Sequence, residues 1–232
     1  MDFPLVSVII ATKNRAHYLS EAIESVLRQE YRNFEIIVVD GGSTDNTEEV
    51  AKSYKEVRFI LQDGGGIAEA WNLGISIAKG DMIAFIDSDD IWTANKLRVQ
   101  VDYLLAHPEV QYVVSKLKYF LQPGCPIPAQ FRKNLLTGEY PGYLPQSLLA
   151  RKELFAEIGT FDGHYKIGND IDWFVRAKDQ CVPMTIIPEV LLHKRVHEAN
   201  TSVESLSVND HDILELLRKS IVRNRAARNK EG

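Results

Sequence analysis

The chain lacks most of what would tie it to a stapled, zinc-clipped or membrane-buried fold. Only two cysteines, Cys125 and Cys181, occur in 232 residues. Far apart and outside any Cys-x-x-Cys spacing, they read as isolated thiols rather than a disulfide framework or zinc site, which fits a reducing compartment. No apolar run approaches the roughly 20 residues of a membrane span. No basic stretch followed by an apolar one stands near the start, so no secretory leader is expected and the chain should be soluble and cytoplasmic. Basic excess is missing too: 27 Lys and Arg face 32 Asp and Glu, a net charge of -5. That balance supplies no cationic face for a polyanion, so no nucleic-acid partner is expected. Finally, Gly64-Gly65-Gly66 matches neither a GxGxxG turn nor a Walker loop, which argues against dinucleotide and P-loop enzymes.

What remains is ordinary globular composition, 45% hydrophobic and 25% charged, in a chain long enough for one substantial core. Leu5 to Ala11 is a β-branched run typical of a strand buried on both faces. Leu19, Ala22, Ile23, Val26 and Leu27 follow at helical spacing, preceded by turn chemistry at Asn14-Arg15. A second strand, Phe34 to Val39, ends at Asp40-Gly41-Gly42, after which Asp45 and Glu48 can cap a new helix. Val57 to Leu61 predicts a third strand, Ile67 to Ala78 a third helix, and Met82 to Ile86 a fourth strand. This alternation predicts an α/β fold: a mainly parallel, Rossmann-like sheet flanked by helices, with ligands beyond the carboxyl ends of the strands. After a helix over Asn95 to Ala106, eight prolines and glycines punctuate the stretch from Pro123 to Pro145, a length of loop that is usually functional. A short ordered segment at Lys152 to Ile158, a helix over Asp170 to Asp179, and strands at Met184 to Ile187 and Val190 to Leu192 then complete an elaborated C-terminal region.

Chemistry concentrates in Asp87-Ser88-Asp89-Asp90. Carboxylates this close repel one another unless a cation compensates them. Hard oxygen ligands suit Mg²⁺ or Mn²⁺, typically held by one or two carboxylates plus substrate phosphate oxygens. An acidic turn capping the next helix explains the same letters. At the end of the second strand, Asp40 with Gly41-Gly42 forms a turn where backbone can approach a ligand, and again a turn with a helix cap is the alternative.

Several segments together resemble the family-two inverting glycosyltransferases of the GT-A fold. They are Val6 to Asn14, Glu35 to Asp45, Gly66-Ile67 with Ala70-Trp71-Asn72 and Gly74-Ile75, and Ala78 to Asp90. Gln146-Ser147, Ile158-Gly159 with Phe161-Asp162, Tyr165 to Asp170, and Arg195 to Ser202 continue the match in order. Each motif is weak alone; their ordered co-occurrence over residues 5 to 202 is specific. The resemblance implies a single GT-A domain over 1–205, with a nucleotide-binding half at 1–106 and an acceptor-side half at 107–205. It implies that Thr12, Asn14 and Asp40 line the nucleotide pocket, Asp40 reading the pyrimidine edge, and that the turn from Gly66 through Asn72 borders the phosphates. Asp87 and Asp89 become the DxD pair, Asp89 the more direct Mn²⁺ or Mg²⁺ ligand and Asp87, beside Ser88, facing the ribose. His197 is implied as a second contact to metal or diphosphate, and Asp170 as the catalytic base.

An inverting single displacement needs such a base, because the acceptor hydroxyl must lose its proton as it attacks opposite the leaving diphosphate. A helix N-terminus would help keep Asp170 ionised, although an Asp there is also a common cap. Two positions depart from the family's commonest pattern: Asn169 replaces an acidic residue and Trp71 an arginine. The expected activity is transfer from a UDP- or dTDP-sugar donor to a glycan, lipid-linked or other hydroxyl acceptor, in glycan or polysaccharide biosynthesis. Alternatives are a nucleotidyltransferase, for which Lys13 and Arg15 would serve a triphosphate, and a nucleotide-sugar-binding module without catalysis. Residues 206–232 are expected to form an amphipathic basic helix, which would either make a peripheral contact with an anionic membrane or dock on the core. The histidines other than His197 read as surface or packing residues.

Overall fold

The computed structural model describes residues 3–165, 168–198, 200, 215 and 218–223. Strands β1 (Val6–Thr12), β2 (Phe34–Asp40), β3 (Val57–Leu61) and β4 (Met82–Asp87) alternate with helices α1 (Ala16–Leu27), α2 (Thr47–Lys52) and α3 (Ile67–Ile77). Two heavy atoms on Cβ stiffen Val and Ile in extended backbone, and every residue of β1 is buried, as a strand covered on both faces must be. These strands pair in parallel in the order β3-β2-β1-β4. Register sets Thr12 beside Asp40 and Ala11 beside Asp87. Three strands therefore end at one level. Because the chain runs to opposite sides of β1, a crevice opens beyond those ends.

The expected parallel sheet occupies this first half, whereas pairing across the second half is mixed. The remaining elements are β5 (Ile91–Trp92), α4 (Lys96–Ala106), β6 (Tyr112–Leu121), β7 (Tyr140–Pro141), β8 (Leu149–Arg151), α5 (Leu154–Glu157), α6 (Asn169–Asp179) and β9 (Met184–Val196). The sheet continues from β4 through β8, β6 and β9 to β5, with β7 on β6. Of these pairs β6·β9 is parallel and the others antiparallel. The sequence pattern did not place β6; its pairing with β9 shifts register between Ser115 and Leu117, where the extra residues lie on β9 and bulge that strand. The two short runs at 184–187 and 190–192 are one strand, which continues through Lys194 and Arg195.

Alternation along the strands supplies a core on each face. Val6, Val8, Ile10, Ile36, Val38 and Ile86 pack with α1 and α4. Ile9, Ile37, Ile83 and Phe85 pack with α3, α5 and α6 through Trp71, Phe155 and Trp173. Each such large side chain contributes roughly 1.5–3 kcal/mol by leaving water. Helix α6 is pinned at its base: Arg176 pairs with Asp172 at 2.7 Å and donates to the carbonyls of Ile158, Gly159 and Thr160. Trp173 Nε1 adds a bond to Gly159 O at 3.1 Å.

Of the helix expected at 206–232, the described residues 215 and 218–223 are helical, and the rest lies outside the described residues. Ser220 and Arg223 bond to Asp179 at the end of α6, and Lys219 to the Tyr165 hydroxyl. Among the described residues, no helix is long and apolar enough to cross a membrane.

Candidate active site

Beyond the ends of β1 and β4 lies a cavity of about 380 Å³ whose wall includes Thr12, Gly66, Asp87, Ser88, Asp89 and Asp170. The acidic cluster and the expected base, distant in sequence, thus face one space. The cavity runs from Gly41, Gln62 and Gly65 at the β2 and β3 side to Leu144 and Gln146 on the far side of β4.

At the β2 side, Asp40 is 1% exposed and its carboxylate accepts from the Ser43 amide at 3.2 Å and hydroxyl at 2.6 Å. Asn14, at φ 52°, accepts from the Thr44 amide at 2.8 Å, while its own amide donates to Ser43 Oγ. Both side chains are therefore drawn into building the turn, and Lys13 and Gly41 form the wall in their place. Asn72 is likewise not on the wall. Its carboxamide bonds the amide and carbonyl of Phe161, at 3.0 and 2.7 Å, tying α3 to the segment that leads into α6. Gly65 sits at φ 90°, the left-handed region natural to glycine, and a Cβ there would lie 2.6 Å from Gln62 Nε2. The Gly66 amide is capped by Glu69 Oε2 at 2.8 Å.

In the cluster, the nearest ligand atoms of Asp87, Asp89 and Asp90 all lie within 4.8 Å of one another. Lys194, which sequence reasoning missed, reaches in from β9 to 2.9 Å from Asp90 Oδ2 and 3.2 Å from Asp87 Oδ2. Burial alone would lower its pKa, yet the charges of Asp90, Asp87 and Asp89 outweigh that and hold it well above the ordinary lysine value as an ammonium. Burial, with the repulsion of Asp89 and Asp87, raises Asp90 against the pull of Lys194. Burial also pushes Asp89 up, but the His197 hydrogen bond and the charges of Lys194, His197 and Arg15 hold it below the usual carboxylate value. His197 Nε2 lies 3.1 Å from Asp89 Oδ2, and Arg15 Nε 3.6 Å. The signal for Lys194 was its position immediately before the Arg195-Val196-His197 motif, but side-chain direction required the strand.

Behind the cluster, Arg195 donates to Asp89 O at 2.8 Å and its amide to Asp90 Oδ1 at 2.9 Å. Its guanidinium reaches Glu21 at 2.6 Å and lies over the rings of Tyr18 and Phe120. The Tyr18 ring stacks on His197 at 4.7 Å, and Asn200 closes the turn by accepting from the His197 amide at 2.6 Å. None of His17, His107, His164, His193 and His197 is on the cavity wall, His197 reaching it only through Asp89, and His211 lies outside the described residues.

Asp170 enters from the first turn of α6, half-buried, after Gly168 at φ 88°. Burial raises its pKa, with Asp87 adding to the effect, while the Ile171 amide bond opposes it. Asn169, at the position of the family's acidic residue, is buried as the first residue of α6, its carboxamide donating to Tyr165 O at 3.5 Å. Trp71, in place of the common arginine, packs on Phe85 and Phe161 in the core.

Four buried side-chain oxygens in this wall have no hydrogen-bond partner among the described residues: Thr12 Oγ1, Gln62 Oε1, Asp87 Oδ1 and Gln146 Oε1. Buried polar atoms are almost always partnered, so their gathering around one cavity marks a ligand site. The free oxygen of Asp87, beside Asp89, suits a hard cation.

The description "Glycosyl transferase family 2" matches residues 7–167. The chain belongs to glycosyltransferase family 2. This glycosyltransferase is 34% identical to an uncharacterized glycosyltransferase of Rickettsia typhi, over 88% of this chain and 68% of that one. A Rickettsia felis relative, 33% identical, is matched over 36% of its length, so the chain spans about a third of that protein. Over 45% of the chain and 43% of the relative, identity is 43% to an Escherichia coli UDP-Glc:alpha-D-GlcNAc-diphosphoundecaprenol beta-1,3-glucosyltransferase, WfgD. Among solved structures, S. aureus TarS in complex with UDP-GlcNAc superposes with a TM-score of 0.76 at 21% identity, over 94% of this chain and 66% of that one. That likeness establishes the GT-A fold.

Proposed function

We propose that this glycosyltransferase moves a sugar from a UDP- or dTDP-sugar to a hydroxyl acceptor, with inversion at the anomeric carbon. The observation that carries the proposal is that Asp170 and the carboxylates of Asp87 and Asp89 face one cavity. The nucleotide lies toward Thr12, Gly41 and Gln62, above the turn built by Asp40 and Asn14, and the diphosphate lies over Gly66, Ser88 and Asp87. Asp87 and Asp89, with His197 behind Asp89, would hold Mn²⁺ or Mg²⁺, which would supply positive charge to the leaving diphosphate. Lys194 and Arg15 add fixed positive charge from the protein at the same end. Asp170 takes the proton from the acceptor hydroxyl, and its raised pKa makes it a stronger base than an ordinary carboxylate. No covalent intermediate is needed.

A UDP-sugar donor is supported by the UDP-Glc named for WfgD and the UDP-GlcNAc bound by TarS. The lipid-diphosphate acceptor in WfgD's name favours a glycan-building role with a lipid-linked or other hydroxyl acceptor. Because Arg15 turns to Asp89 at the acidic cluster, transfer from a sugar nucleotide is favoured over nucleotidyl transfer. The test is a panel of nucleotide sugars with Mn²⁺, read by nucleotide release and thermal shift. Failure of every UDP- and dTDP-sugar to bind would overturn it.

A further inference from the structure

The geometry points to Gln146 as the residue that recognises the sugar being transferred, through a hydrogen bond between its carboxamide and a hydroxyl of that sugar. This rests on the donor assignment proposed above.

Gln146 is 5% exposed, lines the cavity with Asp87 and Asp170, and its Oε1 is buried without a partner among the described residues. A buried carboxamide oxygen left without a donor costs roughly 1–3 kcal/mol. The position is nevertheless heavily braced. Trp92 Nε1 donates to Gln146 O at 2.9 Å, Gln100 Nε2 to Ser147 O at 2.8 Å, and Ser147 Oγ to Gly142 O. Lys96 supports the same frame from below, bonding Gln100 Oε1 at 2.7 Å and lying 4.0 Å from the Trp92 ring centroid. Backbone and neighbours are thus held by side chains from β5 and α4, while the carboxamide oxygen has no partner among the described residues. A site preorganised in this way spends no further ordering on binding.

Topology assigns the ligand portion. Residues 145–147 pack against β4, on the side away from β1, β2 and β3, so Gln146 stands across the acidic cluster from the nucleotide end. With the diphosphate at Asp87 and Asp89, the group beyond it is the sugar, which must lie between the cluster and Asp170 for the acceptor to attack from the opposite side. A neutral carboxamide offers an acceptor and two donors, and a half-turn about its terminal bond exchanges them, which matches uncharged hydroxyls better than phosphate.

The experiment compares wild type with Gln146→Leu and Gln146→Glu by calorimetric titration of UDP, UDP-glucose and UDP-GlcNAc in Mn²⁺. Expected is an unchanged UDP affinity in both variants, which also reports their folding, with about a tenfold weaker grip on the sugar nucleotide that wild type prefers. Preference between the two sugars should narrow in Gln146→Leu. Equal weakening of UDP and sugar nucleotides would overturn the proposal in favour of a nucleotide or diphosphate contact, and unchanged sugar-nucleotide affinity would overturn it outright. Wild type binding none of the three, nor dTDP-glucose in the same titration, would instead remove the donor assignment itself, and this inference with it.

Discussion

Lys194 Nζ lies 2.9 Å from Asp90 Oδ2, so the acidic cluster carries a counter-ion from the protein itself. Asp90 is 1% exposed and also accepts from the Arg195 amide, which makes it the anchor of β9 rather than a free ligand. Breaking one side of such a buried pair leaves an uncompensated charge, at a cost of roughly 3–5 kcal/mol. Lys194→Met should therefore lower stability by about that amount in denaturant melts. Adding Asp90→Asn should recover most of the loss; a double variant no more stable than the single one would refute the coupling.

Asp170→Asn should leave UDP and Mn²⁺ affinity nearly intact while transfer falls by about 10²–10⁴-fold. Because the working form of the base is ionised and burial raises its pKa above the ordinary 3.8, wild-type rate should fall as pH drops through a value higher than 3.8. Single-turnover rates across pH measure this, and turnover in the variant equal to wild type would remove Asp170 from the chemistry.

Metal removal should act at the binding step. With Asp87 Oδ1 lacking a partner among the described residues and the pKa of Asp89 held below the usual carboxylate value, EDTA should suppress UDP binding, and Mn²⁺ or Mg²⁺ should restore it. Asp89→Asn should weaken that restoration. Equal UDP affinity with and without EDTA would count against the cluster as a cation site.

Lys96 provides a stability signature away from the cluster. It is fully buried, and burial lowers its pKa well below the ordinary 10.5. Between the lowered native value and the unfolded value the unfolded chain binds more protons, so stability rises with pH. The penalty is fully present below the native value and vanishes as pH rises through about 10.5. Lys96→Met removes this group, so the stability difference between variant and wild type should shift steadily in favour of wild type as pH rises. Urea melts from pH 7 to 10 would measure it, and parallel curves would refute it.

The sequence by itself determined the βαβ alternation, the positions of Asp87, Asp89 and Asp170, and the family. Those features are local: a β-branched run, a glycine turn and a helix period are each written within a few residues, and the ordered motifs need no contacts to be recognised. Only the tertiary structure decided that β6 exists, that β9 runs unbroken through Lys194, and that Lys194 neutralises carboxylates more than a hundred residues away. It also turned Asp40, Asn14 and Asn72 toward the protein's own backbone and left Gln146 as a braced, unpartnered carboxamide. The physical reason is that a side chain's partners depend on strand pairing and register, and a single-residue shift in register reverses which face a side chain occupies. A row of letters shows which groups are present; the sheet decides which of them remain free for a ligand.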